Sequence, residues 1–389
     1  MLLGFCLLLS LTASATVRYV ALNNPGSAAP FTSWATAATN IQDAVDAAVT
    51  GDEIVVTNGI YIGGGRAVFG TMTNRVVVDK AITVHSVNGP QFTHIQGRLA
   101  AGTVFGDTAI RCVYLADGAS LTGFTLTNGA THSSGNTIFE LSGGGVWCNS
   151  TSAVVSRCVI ANNHAKVQGG GAYGGTLNNC LFTGNSATNA GATFSNVLNN
   201  CTIVGNTSLL GMGGAHSATL NNCIVYFNTG QYPANYQQCS LHYCCTTPQP
   251  AAGSGNLTDD PSFVDVLNGN LRLQANSPCV NSGANDHAPS GPDLDGNPRI
   301  FNSILDMGAY EYQGVIVPTA PYFVSASQPA DQSVMIGSNA TFAATAGGTP
   351  PLSYWWRFNG TNLNSPITNS LTLTNVQLTN AGNYFVVVS

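Results

Sequence analysis

The chain has 389 residues, 44% of them apolar and only 7% charged, with a net charge of −6. Eleven Lys and Arg in all are too few for a phosphate-binding surface, which argues against nucleic acid as a partner. Low charge combined with this apolar content also excludes the disordered class, and the length allows two or three domains. Forty-four glycines and many short apolar runs set among Ser, Thr and Asn indicate an all-β chain with many turns.

In chain order, "MLLGFCLLLSLTASATVRYV" comes first. Its apolar run over residues 2–11 and the small-x-small site Ala13-Ser14-Ala15 predict a signal peptide over residues 1–15, although the basic segment that opens such signals is missing. The expectation is an exported chain, secreted or at the cell surface, with no membrane span after Thr16. In "NIQDAVDAAVTGDEIVV", Ile41, Val45, Ala48 and Val49 fall on one face of a short helix. Asn40 would cap its start and Gly51 its end. "DEIVV" and "AITVHSV" then read as the first strands.

The centre of the chain repeats. Cys158, Cys180, Cys201 and Cys223 lie 22, 21 and 22 residues apart, and Asn163, Asn185, Asn206 and Asn228 follow at the same intervals. This period predicts a solenoid in which each coil buries its apolar side chains on its neighbours. Leu177/Cys180/Phe182, Leu198/Cys201/Ile203 and Leu220/Cys223/Val225 hold matching positions, with Val155/Cys158/Ile160 in the same series. The pattern Leu-x-x-Cys-x-apolar-x-x-Asn also suits a leucine-rich repeat, but "SATNAGATFSN" and "TSLLGMGGAHSA" are poor material for its return segment. A parallel β-helix is therefore favoured. In it the cysteines act as small buried hydrophobes and the asparagines pair their amides along the axis, a structural ladder rather than a metal site.

"IQDAVDAAVTGDEIVVTNGIY", "KAITVHSVNGPQFTHIQG" and the Gly-rich "VQGGGAYGGTLNNCLFTGNSA" resemble bacterial right-handed parallel β-helix proteins of the pectate-lyase-like superfamily. "DDPSFVDVLNGNLRLQANSPCVNSGAND" and "DLDGNPRIFNSILDMGAYEY" resemble a choice-of-anchor Q closing segment, giving a β-helix domain over 16–313 that closes over about 256–313. After a linker at 314–321, residues 322–389 resemble an immunoglobulin-like domain. Trp356 stands as its core tryptophan, Tyr384 as its corner tyrosine, and Ala344 and Val386 at the disulfide positions. The expected fold class is all-β: a right-handed parallel β-helix solenoid with a short N-terminal capping helix, then an incomplete immunoglobulin-like β-sandwich lacking its last strand.

The resemblance implies polysaccharide lyases or hydrolases, which use acidic Ca²⁺ ligands with a basic residue, or paired carboxylates. Residues 141–258 contain no Asp or Glu, and their only basic residues are Arg157 and Lys166. Asp79, Asp107, Asp117 and Glu140 on earlier coils show no catalytic spacing. Glu140, His132 and Lys166 come nearest to a catalytic set, and the simpler reading makes them solvated loop residues, so no catalytic residue is assigned. "CSLHYCC" gathers Cys239, His242, Cys244 and Cys245 at a spacing that fits no common zinc module; burial or a disulfide, with Cys239 or Cys279 involved, is preferred. In "DLDGN", Asp293, Asp295 and Asn297 could start a Ca²⁺ loop, but Gly296 and Pro298 sit wrongly for one. A turn held by Asx hydrogen bonds is preferred, and no cofactor is assigned. His164 and His216 read as exposed turn residues. Trp147, Tyr173, Tyr226 and Tyr232 could form a sugar-stacking face. The reading is thus a structural or adhesive protein that binds extracellular polysaccharide or cell-surface glycans without catalysis. The alternative is a lyase or glycoside hydrolase acting on acidic or plant and algal polysaccharides.

Overall fold

The computed structural model describes residues 15–231, 233–314, 320–323, 329–347, 352–363 and 368–389. All but the last residue of the expected signal peptide, most of the linker, and Tyr232 lie outside the described residues.

Short strands wind into three long sheets. The first, sheet A, stacks nine parallel strands from Val17–Val20 through Thr176–Asn178 to Ser240–His242. Sheet B runs from Gly59–Tyr61 through Leu181–Thr183 to Cys245–Thr246, and sheet C from Arg66–Ala67 through Ala172–Tyr173 to Tyr236–Gln237. Only the Arg66–Ala67 pairing is antiparallel among these. A three-stranded sheet over His164–Gln168, Ser186–Asn189 and Thr207–Ser208 widens the central coils. Coils stack in register, with Leu177 beside Leu198 beside Leu220, and Phe182 beside Ile203 beside Val225. This is a parallel β-helix, and its interior is one continuous apolar core.

The turn from sheet A to sheet B takes one residue with left-handed backbone. Arg157, Asn179, Asn200, Asn222 and Tyr243 hold it, with φ between 48° and 54°. Asn tolerates this conformation better than other residues with a Cβ, so the second Asn of each Leu-Asn-Asn-Cys is the corner of a coil. The first Asn points outward, and these amides pair from coil to coil: Asn199 Nδ2 donates to Asn178 Oδ1 and Asn221 Nδ2 to Asn199 Oδ1, both at 2.9 Å. The cysteine after the corner points inward. Cys158, Cys180, Cys201, Cys223 and Cys244 form a buried column whose thiols donate mainly to main-chain carbonyls, as from Cys201 to Leu177 O at 3.4 Å. Burial pushes the thiols of Cys158, Cys201 and Cys244 up. They therefore pack as small neutral groups.

A third asparagine row runs inside. Each residue gives both its backbone N–H and its Nδ2 to the side-chain oxygen of the next: Asn163 to Asn185 (3.0 and 3.1 Å), Asn185 to Asn206 (3.0 and 2.9 Å), and Asn206 to Asn228 (both 3.0 Å). Asn228 passes the pattern to Asn235, which donates to Thr247 O. Each Nδ2 also reaches a carbonyl of the preceding coil, as from Asn185 to Ile160 O at 2.8 Å. These amides are buried and satisfied.

The N-terminal end differs from expectation in two ways. The first strand is Val17–Val20, ahead of the helix, paired in parallel with Glu53–Val56. The helix spans Ile41–Ala47, capped by Asn40 Oδ1 accepting from Asp43 N at 2.9 Å. It ends at Ala48 instead of Gly51, because Ala48 N turns back to Val45 O and the chain becomes extended there. Val49 consequently leaves the apolar face and is 55% exposed. Ile41, Ala44 and Val45 close the core, while Gln42 bonds both main-chain groups of Val77.

Near the other end, Leu257 pairs with Cys245, and residues 253–257 cover the last coil. The chain then turns back and lies along the outside of sheet B. Phe263, Leu271, Leu273, Val280, Leu294, Met307 and Tyr310 cover Leu181, Val204, Ile224 and Cys245 there. The corner asparagines anchor this lateral segment: Asn179 Nδ2 donates to Pro292 O, Asn200 Nδ2 to Asp306 O, and Asn222 Nδ2 to Ala284 O, each at 3.0 Å.

The C-terminal unit pairs Ala340–Ala343 with Ser370–Leu373, and Tyr354–Phe358 with Tyr384–Val388. Trp356 is buried against Phe342, Ala344, Leu371 and Val386, and its Nε1 donates to Thr368 O at 3.0 Å. Tyr384 Oη donates to Asn380 O at 2.8 Å, a tyrosine corner.

The inner ladder carries a measurable share of stability. Asn206→Ala strips the acceptor from two buried Asn185 donors and should cost roughly 2–4 kcal/mol. Asn199→Ala in the outward row, where water replaces the lost partner, should cost under about 1 kcal/mol. Denaturant midpoints followed by circular dichroism decide this; equal losses would refute the distinction.

Candidate functional site

Glu140 and His132 come together in the insertion after Thr125–Thr127, but no reactive pair results. Both Glu140 oxygens are taken by main-chain donors, Oε1 by Thr71 N at 3.0 Å and Oε2 by Asn136 N at 2.8 Å. Those amide donors hold the carboxyl below its usual range. Gly70 and Gly135 face it so closely that a Cβ on either would collide with the carboxylate. Glu140 thus staples two loops. His132 is buried beneath it and its Nε2 has no partner. Lys166 turns elsewhere, placing Nζ 5.7 Å from the centre of the Phe105 ring, a cation–π contact.

The loops stapled by Glu140 cover one end of a stack of rings. On the outer face of sheet C, Tyr114, Trp147, Tyr173, Phe194 and His216 follow one another with centroids 5.5, 5.9, 5.5 and 5.1 Å apart. Their planes lie within 16° of parallel. Each is the outward residue at the same point of its coil, so coil spacing alone brings them to stacking distance. Phe69 and Phe139 close over Trp147 at 5.7 and 5.5 Å. From Tyr173 to His216 the stack is half-exposed.

Trp147 and Tyr173 therefore share a face, as a sugar-stacking surface requires. Tyr226 does not join them: it projects from sheet B, and its Oη donates to Thr258 O at 2.9 Å. His164 and His216 are half-buried, and burial lowers the pKa of each. Tyr114, Phe194, Phe69 and Phe139 were missed in the sequence. A signal was present, since Trp147, Tyr173, Phe194 and His216 stand 26, 21 and 22 residues apart.

The two suspected metal motifs are dispersed or engaged. In "CSLHYCC", Cys244 faces the core, Cys245 faces the lateral segment, and His242 points outward from sheet A. In "DLDGN", Asp293 accepts from Asn297 N at 2.7 Å and Glu311 N at 2.8 Å, an Asx-type turn. Asp295 is paired with Arg272 at 2.6 Å. Among the described residues, no three His, Cys, Asp or Glu side chains are grouped to hold a metal ion.

Asp293 belongs to a buried charge cluster inside the lateral segment. Arg299 Nη2 donates to Glu311 Oε2 at 2.6 Å, and Asp306 accepts from Asn281 N and Tyr312 N at 2.7 and 2.6 Å. One guanidinium thus serves a site with three acidic groups. Burial pushes Asp306 up to about 6, and Glu311 up to about 7 with help from neighbouring Asp306.

Comparison with known proteins bears on the two parts of the chain separately. Residues 321–389 match the family model of the immunoglobulin domain. No curated protein matches the chain. Among solved structures, it is similar to the crystal structure of pectate lyase Pel9A, at 14% identity over 77% of this chain and 97% of that one, with a TM-score of 0.34.

The acidic cluster makes the lateral segment pH-dependent. Both folded pKa values lie above unfolded ones of about 4, so folding takes up protons over this range. The linked stabilisation is complete below about pH 4 and is lost as pH rises through 6 to 7. Residues 259–313 should resist limited proteolysis better at pH 5 than at pH 8, and Glu311→Gln should shrink the difference. Equal resistance at both values, after correction for protease activity, would contradict this.

Proposed function

We propose that the β-helix is a non-catalytic contact module of a secreted or cell-surface protein, binding glycans along sheets A and C. The observation that supports it is the character of the uncovered faces. Sheet A presents Thr176, Asn178, Asn199, Thr219 and Ser240, and sheet C presents Tyr173, Phe194 and His216, in rows at the coil spacing. Residues 141–258 place no carboxylate on either face.

Such a surface suits a neutral, repeating, hydroxyl-rich chain. Amides and hydroxyls exchange hydrogen bonds with sugar hydroxyls, and the ring edges offer apolar contact. The ring faces lie against one another and Gln237 stands beside His216 on the next coil, so a glycan would meet the edges of the stack. Acid–base catalysis needs a carboxyl free to move a proton, and Glu140 is committed to two amides.

The full chain on an array of neutral and uronic-acid glycans should bind without turnover. Tyr173→Ala combined with Phe194→Ala should weaken binding roughly tenfold, about 1.4 kcal/mol. A parallel assay with Ca²⁺ follows unsaturated-product absorbance and reducing ends. Turnover abolished by Glu140→Gln or Lys166→Ala would replace this reading with a lyase or hydrolase, and absence of any glycan binding would remove it.

A further inference from the structure

All ten described cysteines are free thiols in this structure, and nine of them are buried. Five of them, Cys158, Cys180, Cys201, Cys223 and Cys244, point inward in the same direction, one above the next. Parallel side chains on stacked coils hold their Cβ–Sγ bonds side by side, which suits a disulfide poorly. Cys245 and Cys279 are arranged differently. Cys245 occupies an outward position of the last sheet B strand, in register with Ile224. Cys279 lies in the lateral segment, its N–H bonded to Ser277 Oγ at 3.1 Å and its carbonyl accepting from Met307 N at 3.0 Å. The two belong to one apolar cluster and approach from opposite walls, near enough for their thiols to interact, while Cys245 Sγ donates to Asp259 O at 3.2 Å.

We propose that Cys245 and Cys279 are a disulfide-forming pair that locks the lateral segment onto the last coil when the chain meets a disulfide oxidant. The chemistry is two successive thiol–disulfide exchanges. One thiolate attacks the oxidant, breaking its S–S bond and forming a mixed disulfide; the second thiolate then displaces the remaining half. One Sγ–Sγ bond forms, the two cysteines lose two protons and two electrons, and the oxidant leaves as two thiols. Access comes when the lateral segment lifts locally, since both sulfurs lie at its junction with the coil.

The pair differs from the ladder cysteines in consequence as well as geometry. A bond within the column would join coils already held by sheet hydrogen bonds. A bond at this junction joins a strand of the solenoid to a segment that contacts it only through side chains and scattered main-chain bonds.

The full chain, purified reduced, is held folded in glutathione disulfide, then denatured, blocked with N-ethylmaleimide, digested with chymotrypsin without reductant, and mapped by mass spectrometry. The expected result is loss of two thiols, one linked peptide pair whose fragments place the bond at Cys245–Cys279, and at least threefold slower proteolysis of residues 259–313. Reductant should reverse all three, and Cys279→Ser should abolish them. A link at Cys239–Cys279 or within the column, or N-ethylmaleimide on both Cys245 and Cys279 after oxidation, would overturn the proposal. The mapping uses the unaltered chain, so it stands even if the variant fails to fold.

Discussion

The buried asparagine ladder is the constraint on which the remainder of the β-helix rests. At each bend after sheet B the chain needs a partner for a backbone N–H inside an apolar core, where an unpaired donor costs about 1–3 kcal/mol. The side-chain oxygen of the next coil's asparagine supplies it, and only when the two coils stand in exact vertical register. A coil displaced by one residue would break its ladder bonds to both neighbouring coils at once and turn its inward leucine to solvent. Register fixed here is then read out everywhere else. The cysteines fall into a column, the outward amides pair, and the rings of sheet C meet face to face.

That dependence explains what the sequence disclosed and what it did not. The spacing of Cys158 through Cys223, and of Asn163 through Asn228, carries the fold because each copy repeats the same inward pattern. The two adjacent asparagines of the motif are indistinguishable as letters, yet one pairs outside sheet A and the other bends the chain and binds the lateral segment. Only the backbone conformation separates their roles. The ring stack was legible in spacing but hidden by chemistry, because Phe194 and His216 do not look like members of one series. The lateral course of residues 259–313 was not legible at all. Its contacts join Asn179 to Pro292 and Asn200 to Asp306, separations that no local pattern records.

The three faces of the solenoid divide its work. Sheet B is sealed by the lateral segment, so its outward Leu181, Val204 and Ile224 become a second core. Sheet C is roofed over its early coils by Phe69 and Phe139 and open beyond them. Sheet A is bare and nearly without charge through the central coils. Glu140, which has the residue type of a catalyst, spends its charge on holding the roof. Polar groups on the central coils mostly serve architecture, pairing with one another and with the main chain.

The inner ladder also has a direction. Every side-chain oxygen of the row accepts from the N-terminal side, from Gly129 N onto Asn163 at one end to the Asn228 donors onto Asn235 at the other. Amide dipoles aligned in this way polarise their neighbours, so each added link strengthens those before it. Links of this kind are interchangeable, because each repeats the same pair of bonds between adjacent coils. The length of such a rod is therefore set by its two terminating structures, not by its middle. Duplication or loss of one 21- or 22-residue unit would alter the reach of the surface while leaving its chemistry the same.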